Sequence, residues 1–163
     1  MTRHNAQFGS KHLIVDGVEH LDCRGTLDEN VTDILAHWQQ TIGKRCVIRL
    51  RDVDWVNSSG VRTWALFMRT FVEGRELSFD ECSPAIMQQV NLVPSFLPVR
   101  SIRSFVVPYA CMACQTKEDV LVATPEARSK GAAALTPPLC SKCGLAMECE
   151  ESLDEYLSFL QYS

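Results

Sequence analysis

Two short cysteine pairs, Cys-Met-Ala-Cys at 111–114 and Cys-Ser-Lys-Cys at 140–143, constrain this chain more than any other feature in it. Two residues between thiols let both sulfurs of a pair face one point. Two such pairs supply the tetrahedral four-thiolate set that zinc favours over harder cations, so Cys111, Cys114, Cys140 and Cys143 are the candidate ligands. Gly144, just past the second pair, permits the tight backbone turn of such a knuckle. Four protein thiolates leave no position for water, which makes the site one that folds a module rather than one that catalyses. A redox Cys-x-x-Cys would need no second copy. The pairs are 25 residues apart, and the segment ARSKGAAALTPP between them reads as a mobile Gly/Ala/Pro loop. Cys23, Cys46, Cys82 and Cys149 are scattered and show no ligand spacing.

Charge divides the chain at about the same place. Residues 1–108 hold 12 Lys+Arg against 12 Asp+Glu, whereas 109–163 hold 4 against 8, so the formal net charge of −4 belongs to the C-terminal part. Such acidity is poorly suited to phosphate backbones and argues against nucleic acid as a partner. No apolar run reaches the roughly 20 residues of a membrane-spanning helix, and the N-terminus lacks the apolar block of a secretion signal. The expected location is the cytoplasm, where paired cysteines point to metal rather than disulfides.

Ahead of the cysteine pairs the pattern alternates. LIVDGVEHLDCRGTL suggests two short strands around an Asp16-Gly17 turn, and Asp28 opens a helix with Val31, Ile34, Leu35, Trp38 and Ile42 on one face. CVIRLRDV reads as a buried strand and WVNSSG as the loop leaving it. The next helix places Val61, Trp64, Ala65, Met68, Phe71 and Val72 on one face and Arg62, Leu66, Arg69 and Glu73 on the other. A strand, ELSFDEC, precedes a third helix capped by Ser83 with Pro84 at its first position. This order predicts an α/β layer, a mixed β-sheet covered by helices over residues 8–108. Residues 109–163 then form a small zinc-ribbon module ending in a helix with Leu153, Tyr156, Leu157 and Leu160 on one side.

GTLDEN (Gly25 to Asn30), VIRLRDVDWVNSSG (Val47 to Gly60), GREL (Gly74 to Leu77) and SPAI (Ser83 to Ile86) together resemble STAS domains, the fold of anti-sigma-factor antagonists and of sulfate-transporter tails. The resemblance implies a non-enzymatic signalling or scaffolding protein that binds a protein partner: an anti-sigma factor, a kinase-like protein or another signalling component. It also implies that Ser58 is phosphorylated by a partner kinase, with Ser59 as the alternative acceptor. Asn57 stands where antagonists usually carry an acidic residue. The start of a helix suits a hydroxyl or a phosphate on physical grounds, since its backbone N–H groups are unpaired there, and a plain helix cap is the simpler use of Ser58.

Around it, Trp55, Asn57, Arg62, Leu66 and Arg69 sketch a partner surface, against the alternative that Trp55 is core and the arginines are solvated charge. Arg49, inside an apolar strand, faces solvent or pairs with an Asp such as Asp28 or Asp52. His4, His12 and His20 have no cysteine or acid at ligand spacing, and His37 faces solvent. No nucleophile elbow, phosphate-cradling glycine loop or open metal set points to an enzyme. Two alternatives remain: nucleic-acid or transcription-machinery binding through the zinc ribbon, and a STAS subunit of a membrane transporter complex. No motif fixes the oligomeric state.

Overall fold

The computed structural model describes residues 6–162, which leaves His4 outside the described residues. Strands β1 (Gly9–Val15) and β2 (Val18–Leu27) form an antiparallel hairpin around Asp16 and Gly17. Both turn residues have positive φ, 51° and 75°, the turn whose twist matches that of paired strands. Strand β3 (Arg45–Val56) runs parallel to β2, and β4 (Glu76–Asp80) parallel to β3, giving the order β1-β2-β3-β4. Parallel neighbours need crossovers, supplied by α1 (Thr32–Thr41) and α2 (Ser58–Phe71). Asp28 caps a 3-10 turn, Glu29–Val31, that leads into α1.

The sheet has one covered face. Leu21, Cys23, Ile48, Leu50 and Phe79 are buried there with Trp38 of α1 and Trp64, Met68 and Phe71 of α2. The two indoles meet edge to face at 6.1 Å, Phe8 packs against both, and Trp64 Nε1 donates to the Phe96 carbonyl at 3.1 Å. Each such ring buries on the order of 150–250 Å², which makes this cluster the main apolar anchor of the sheet. The opposite face carries the alternate residues. Asp22, Arg49 and Asp80 lie side by side across β2, β3 and β4, and Arg49 Nη1 donates to Asp22 Oδ1 at 2.8 Å. Arg49 is therefore paired with neither Asp28 nor Asp52. Leu13 and Val15 of β1 are exposed on that face.

Helix α3 (Pro84–Leu92) has the expected Ser83 cap and Pro84 start, and the buried Ser83 hydroxyl also donates to the Val53 carbonyl at 2.6 Å. Strands β5 (Ser104–Ala110), β6 (Lys117–Ala123) and β7 (Glu148–Cys149) make a second, antiparallel sheet in the order β6-β5-β7. Isolated parallel bridges, Phe79 to Ile102 and Cys82 to Phe105, join β5 to the end of β4. The division expected between residues 108 and 109 thus falls inside β5.

The segment expected to be a mobile loop is helical. α4 (Thr124–Lys130) is followed by a 3-10 turn, Gly131–Ala134, with Ala127 and Leu135 buried. Tyr109 donates its hydroxyl to the Leu135 carbonyl at 3.4 Å. The Gly and Pro in the segment suggested disorder, but Pro125 sits in the first turn, where it is tolerated, and Gly131, at φ 58°, ends the helix. The chain closes with α5 (Leu153–Tyr156) and a 3-10 turn, Ser158–Gln161, two short pieces in place of one helix. Asn91 of α3 holds them: its Nδ2 donates to the Tyr156 carbonyl, and its Oδ1 accepts from Ser158 Oγ and Phe159 N–H, each at 3.0 Å.

Candidate metal centre and helix-tip surface

The two cysteine pairs come together because each sits on the same backbone turn. Cys111 donates its N–H to the Thr116 carbonyl at 2.8 Å, and Gln115 donates to the Cys111 carbonyl at 2.9 Å. In the second pair Cys140 donates to Leu145 at 2.8 Å and Gly144 to Cys140 at 2.9 Å. The residue after each second cysteine has positive φ, 58° at Gln115 and 74° at Gly144. Gly144 was legible as this turn; Gln115 was not, because a non-glycine there costs about 1–2 kcal/mol and composition gives no hint of it. Spacing did hold the signal, since Thr116 and Leu145 each lie five residues past a leading cysteine.

All four sulfurs lie within 4.8 Å of one another, with Cys111 to Cys143 and Cys114 to Cys140 each at 3.4 Å. Sulfurs bound about 2.3 Å from a common tetrahedral ion stand roughly 3.8 Å apart, so the group could hold one metal ion. Around it are donors that favour thiolate. Cys114 is pulled down to about 6, chiefly by the Thr116 hydroxyl at 3.2 Å and then by the Thr116 N–H. Cys140 is lowered by the N–H groups of Cys143 and Lys142. Cys143 accepts the Leu145 N–H, which alone would lower it, but its neighbours, led by Cys111, drive it up to about 12. Crowding of the thiols without a cation therefore favours the protonated form at Cys143. Glu118 of β6 accepts the Ser141 N–H at 3.0 Å and ties the second knuckle to the sheet; nothing in the sequence marked it.

The other cysteines take no part. Cys23, Cys46 and Cys82 are buried, and desolvation pushes their thiols up, Cys46 to about 12, which leaves them inert core residues. Half-buried Cys149 pairs with Tyr109 across β7 and β5.

At the other functional candidate, the cap of α2 is Asn57, not Ser58. Its side chain accepts the Gly60 N–H at 2.7 Å, and its Nδ2 donates to Glu29 Oε2 at 3.1 Å. Ser58 is the first helical residue; it and Ser59 are exposed, and neither hydroxyl has a hydrogen-bond partner among the described residues. Gly60 explains the rest of the Ser-Ser-Gly stretch, because a Cβ there would lie 2.0 Å from the Leu27 carbonyl oxygen. The helix tip rests on the end of β2, with Asn57 N–H bonded to that same carbonyl at 3.1 Å.

Arg62, Leu66 and Arg69 are exposed at positions i, i+4 and i+7 of α2, on a common face that also receives Ser58. Leu66 is 54% exposed and Trp55 53%, so Trp55 is not core, although it belongs to β3 rather than to a loop. His12 does find an acid, Glu19 at 2.8 Å, across the hairpin. His37 is exposed, as expected. Among the described residues no helix is long and apolar enough to cross a membrane. Comparison with protein-family models and with curated proteins finds no match to this chain.

Proposed function

We infer that this chain is a non-enzymatic protein-binding module of the cytoplasm, related to STAS-type anti-sigma-factor antagonists and braced by zinc. Its partner docks on the tip and outer face of α2. The observation that carries this reading is the freedom of Ser58: Asn57 performs the capping, so the serine hydroxyl stands exposed with no structural task. A phosphate there would sit among the unpaired N–H groups of the first turn and bring roughly −1.5 to −2 charges to the docking tip. Arg62, Leu66 and Arg69 supply fixed positive charge around an apolar centre, which suits an acidic partner surface with an apolar ridge. Zinc is the ion that best fits four sulfurs with no oxygen donor, and its role is structural.

Affinity capture from the native cell tests the switch, using wild type, Ser58→Ala, Ser58→Asp and Leu66→Glu. A protein recovered by wild type and Ser58→Ala, but reduced at least about tenfold by Ser58→Asp and by Leu66→Glu, is the expected result. Equal recovery from all of them would discard both the switch and the surface.

A further inference from the structure

Strand β1 is the outer strand of the first sheet, with β2 as its sheet neighbour, and every residue from Ser10 to Val15 is exposed. Natural sheets usually blunt such an edge with charged side chains, proline, a bulge or a covering element, and here Lys11 is the one fixed charge on the strand. β1 contains no proline, and its register with β2 runs unbroken from Gly9 to Val15. It ends on Leu13, Ile14 and Val15, with Ile14 69% exposed. In a hairpin with a two-residue turn the flanking residues, here Val15 and Val18, form a hydrogen-bonded pair. Gly9, Lys11, Leu13 and Val15 therefore direct their backbone groups to β2, while Ser10, His12 and Ile14 direct theirs outward. Among the described residues none of those outward groups has a backbone partner.

We propose that this edge pairs with itself: two copies of the chain join through antiparallel β1 strands and extend one sheet into the other. A two-fold axis perpendicular to the sheet keeps each side chain on its own face, which restricts the register. Placing Leu13 opposite Leu13 of the second copy sets His12 opposite Ile14 of that copy, and these are the residues whose N–H and C=O groups are free to exchange. The same register sets Lys11 opposite Val15 of the second copy and Ser10 opposite Asp16 in its turn, so no like charges face each other across the axis. Apolar centre meets apolar centre, and the free N–H and C=O groups of His12 and Ile14 meet each other, so the strand complements its own copy.

Sedimentation of the purified, metal-loaded chain over a concentration series tests this. Wild type is expected to pass from one chain to two as concentration rises. Leu13→Lys places like charges opposite each other at the axis. Ile14→Pro removes an outward N–H while leaving the β2 ladder whole. Each is expected to weaken association at least about tenfold, with unchanged circular dichroism and metal content. A wild type that stays a single chain at high concentration, or a dimer that both variants leave intact, would overturn the proposal.

Discussion

The two sheets of this molecule are stabilised by different chemistry. Around β2, β3 and β4 the order comes from apolar burial: Trp38, Trp64, Phe71 and Phe79 are almost wholly removed from solvent, and backbone approaches backbone closely at Gly60. Around β5 and β6 there are large buried side chains too, Phe105, Tyr109, Tyr156 and Phe159, but the far end, with both knuckles, centres on a group of four sulfurs that could hold a metal ion. Met112, Leu139 and Leu145 beside them are all exposed. There the chain gathers four sulfurs that could hold one metal ion, and the two ends should respond to different insults.

The largest effect is expected from removing the metal. Structural zinc contributes an apparent ~10–16 kcal/mol to folding in small modules, so chelation should abolish amide-exchange protection in the knuckles and weaken it along β6. Protection of β3 should persist, and equal loss in both sheets would erase the contrast. Acid should act in the same direction. Ligation requires thiolates, so binding is coupled to the loss of thiol protons and acid opposes it. Metal content should fall as the pH is lowered while β3 remains protected.

Gly60→Ala probes the other region. A methyl driven toward the Leu27 carbonyl should cost about 1–3 kcal/mol through displacement of the helix tip, lowering the denaturation midpoint without altering metal stoichiometry. A normal midpoint would mean that the tip is softer than its close packing implies. The smallest change is expected from Asn57→Ala, which removes the cap and should cost about 1 kcal/mol. If Ser58 then took over the cap, the loss would be smaller still.

Much of the first sheet was legible because its elements are periodic over many residues. The stripe from Val31 to Ile42 and the turn at Asp16-Gly17 leave few alternatives. The cysteine group was legible for a different reason, since two thiol pairs at that spacing can face one point. What escaped depends on contacts distant in sequence. Asn57 and Ser58 are both good caps in isolation, and the choice between them follows from Asn57 also reaching Glu29. Arg49 takes Asp22 because of the β2/β3 register, which no local pattern specifies. The α4 segment was misread because its burial against Tyr109 is a property of the fold, whereas glycine and proline content is a property of the string.

The junction between β4 and β5 sets how force would travel through the molecule. Arg103 N–H bonds to the Phe79 carbonyl, Cys82 N–H to the Ser104 carbonyl and Val106 N–H to the Cys82 carbonyl, so the sheets are stitched main chain to main chain. A load applied at the knuckles would be borne by that seam rather than by a slack tether. The serine tip and the sulfur cage would then keep a constant spacing, as marks on a ruler do, for any assembly that grips both.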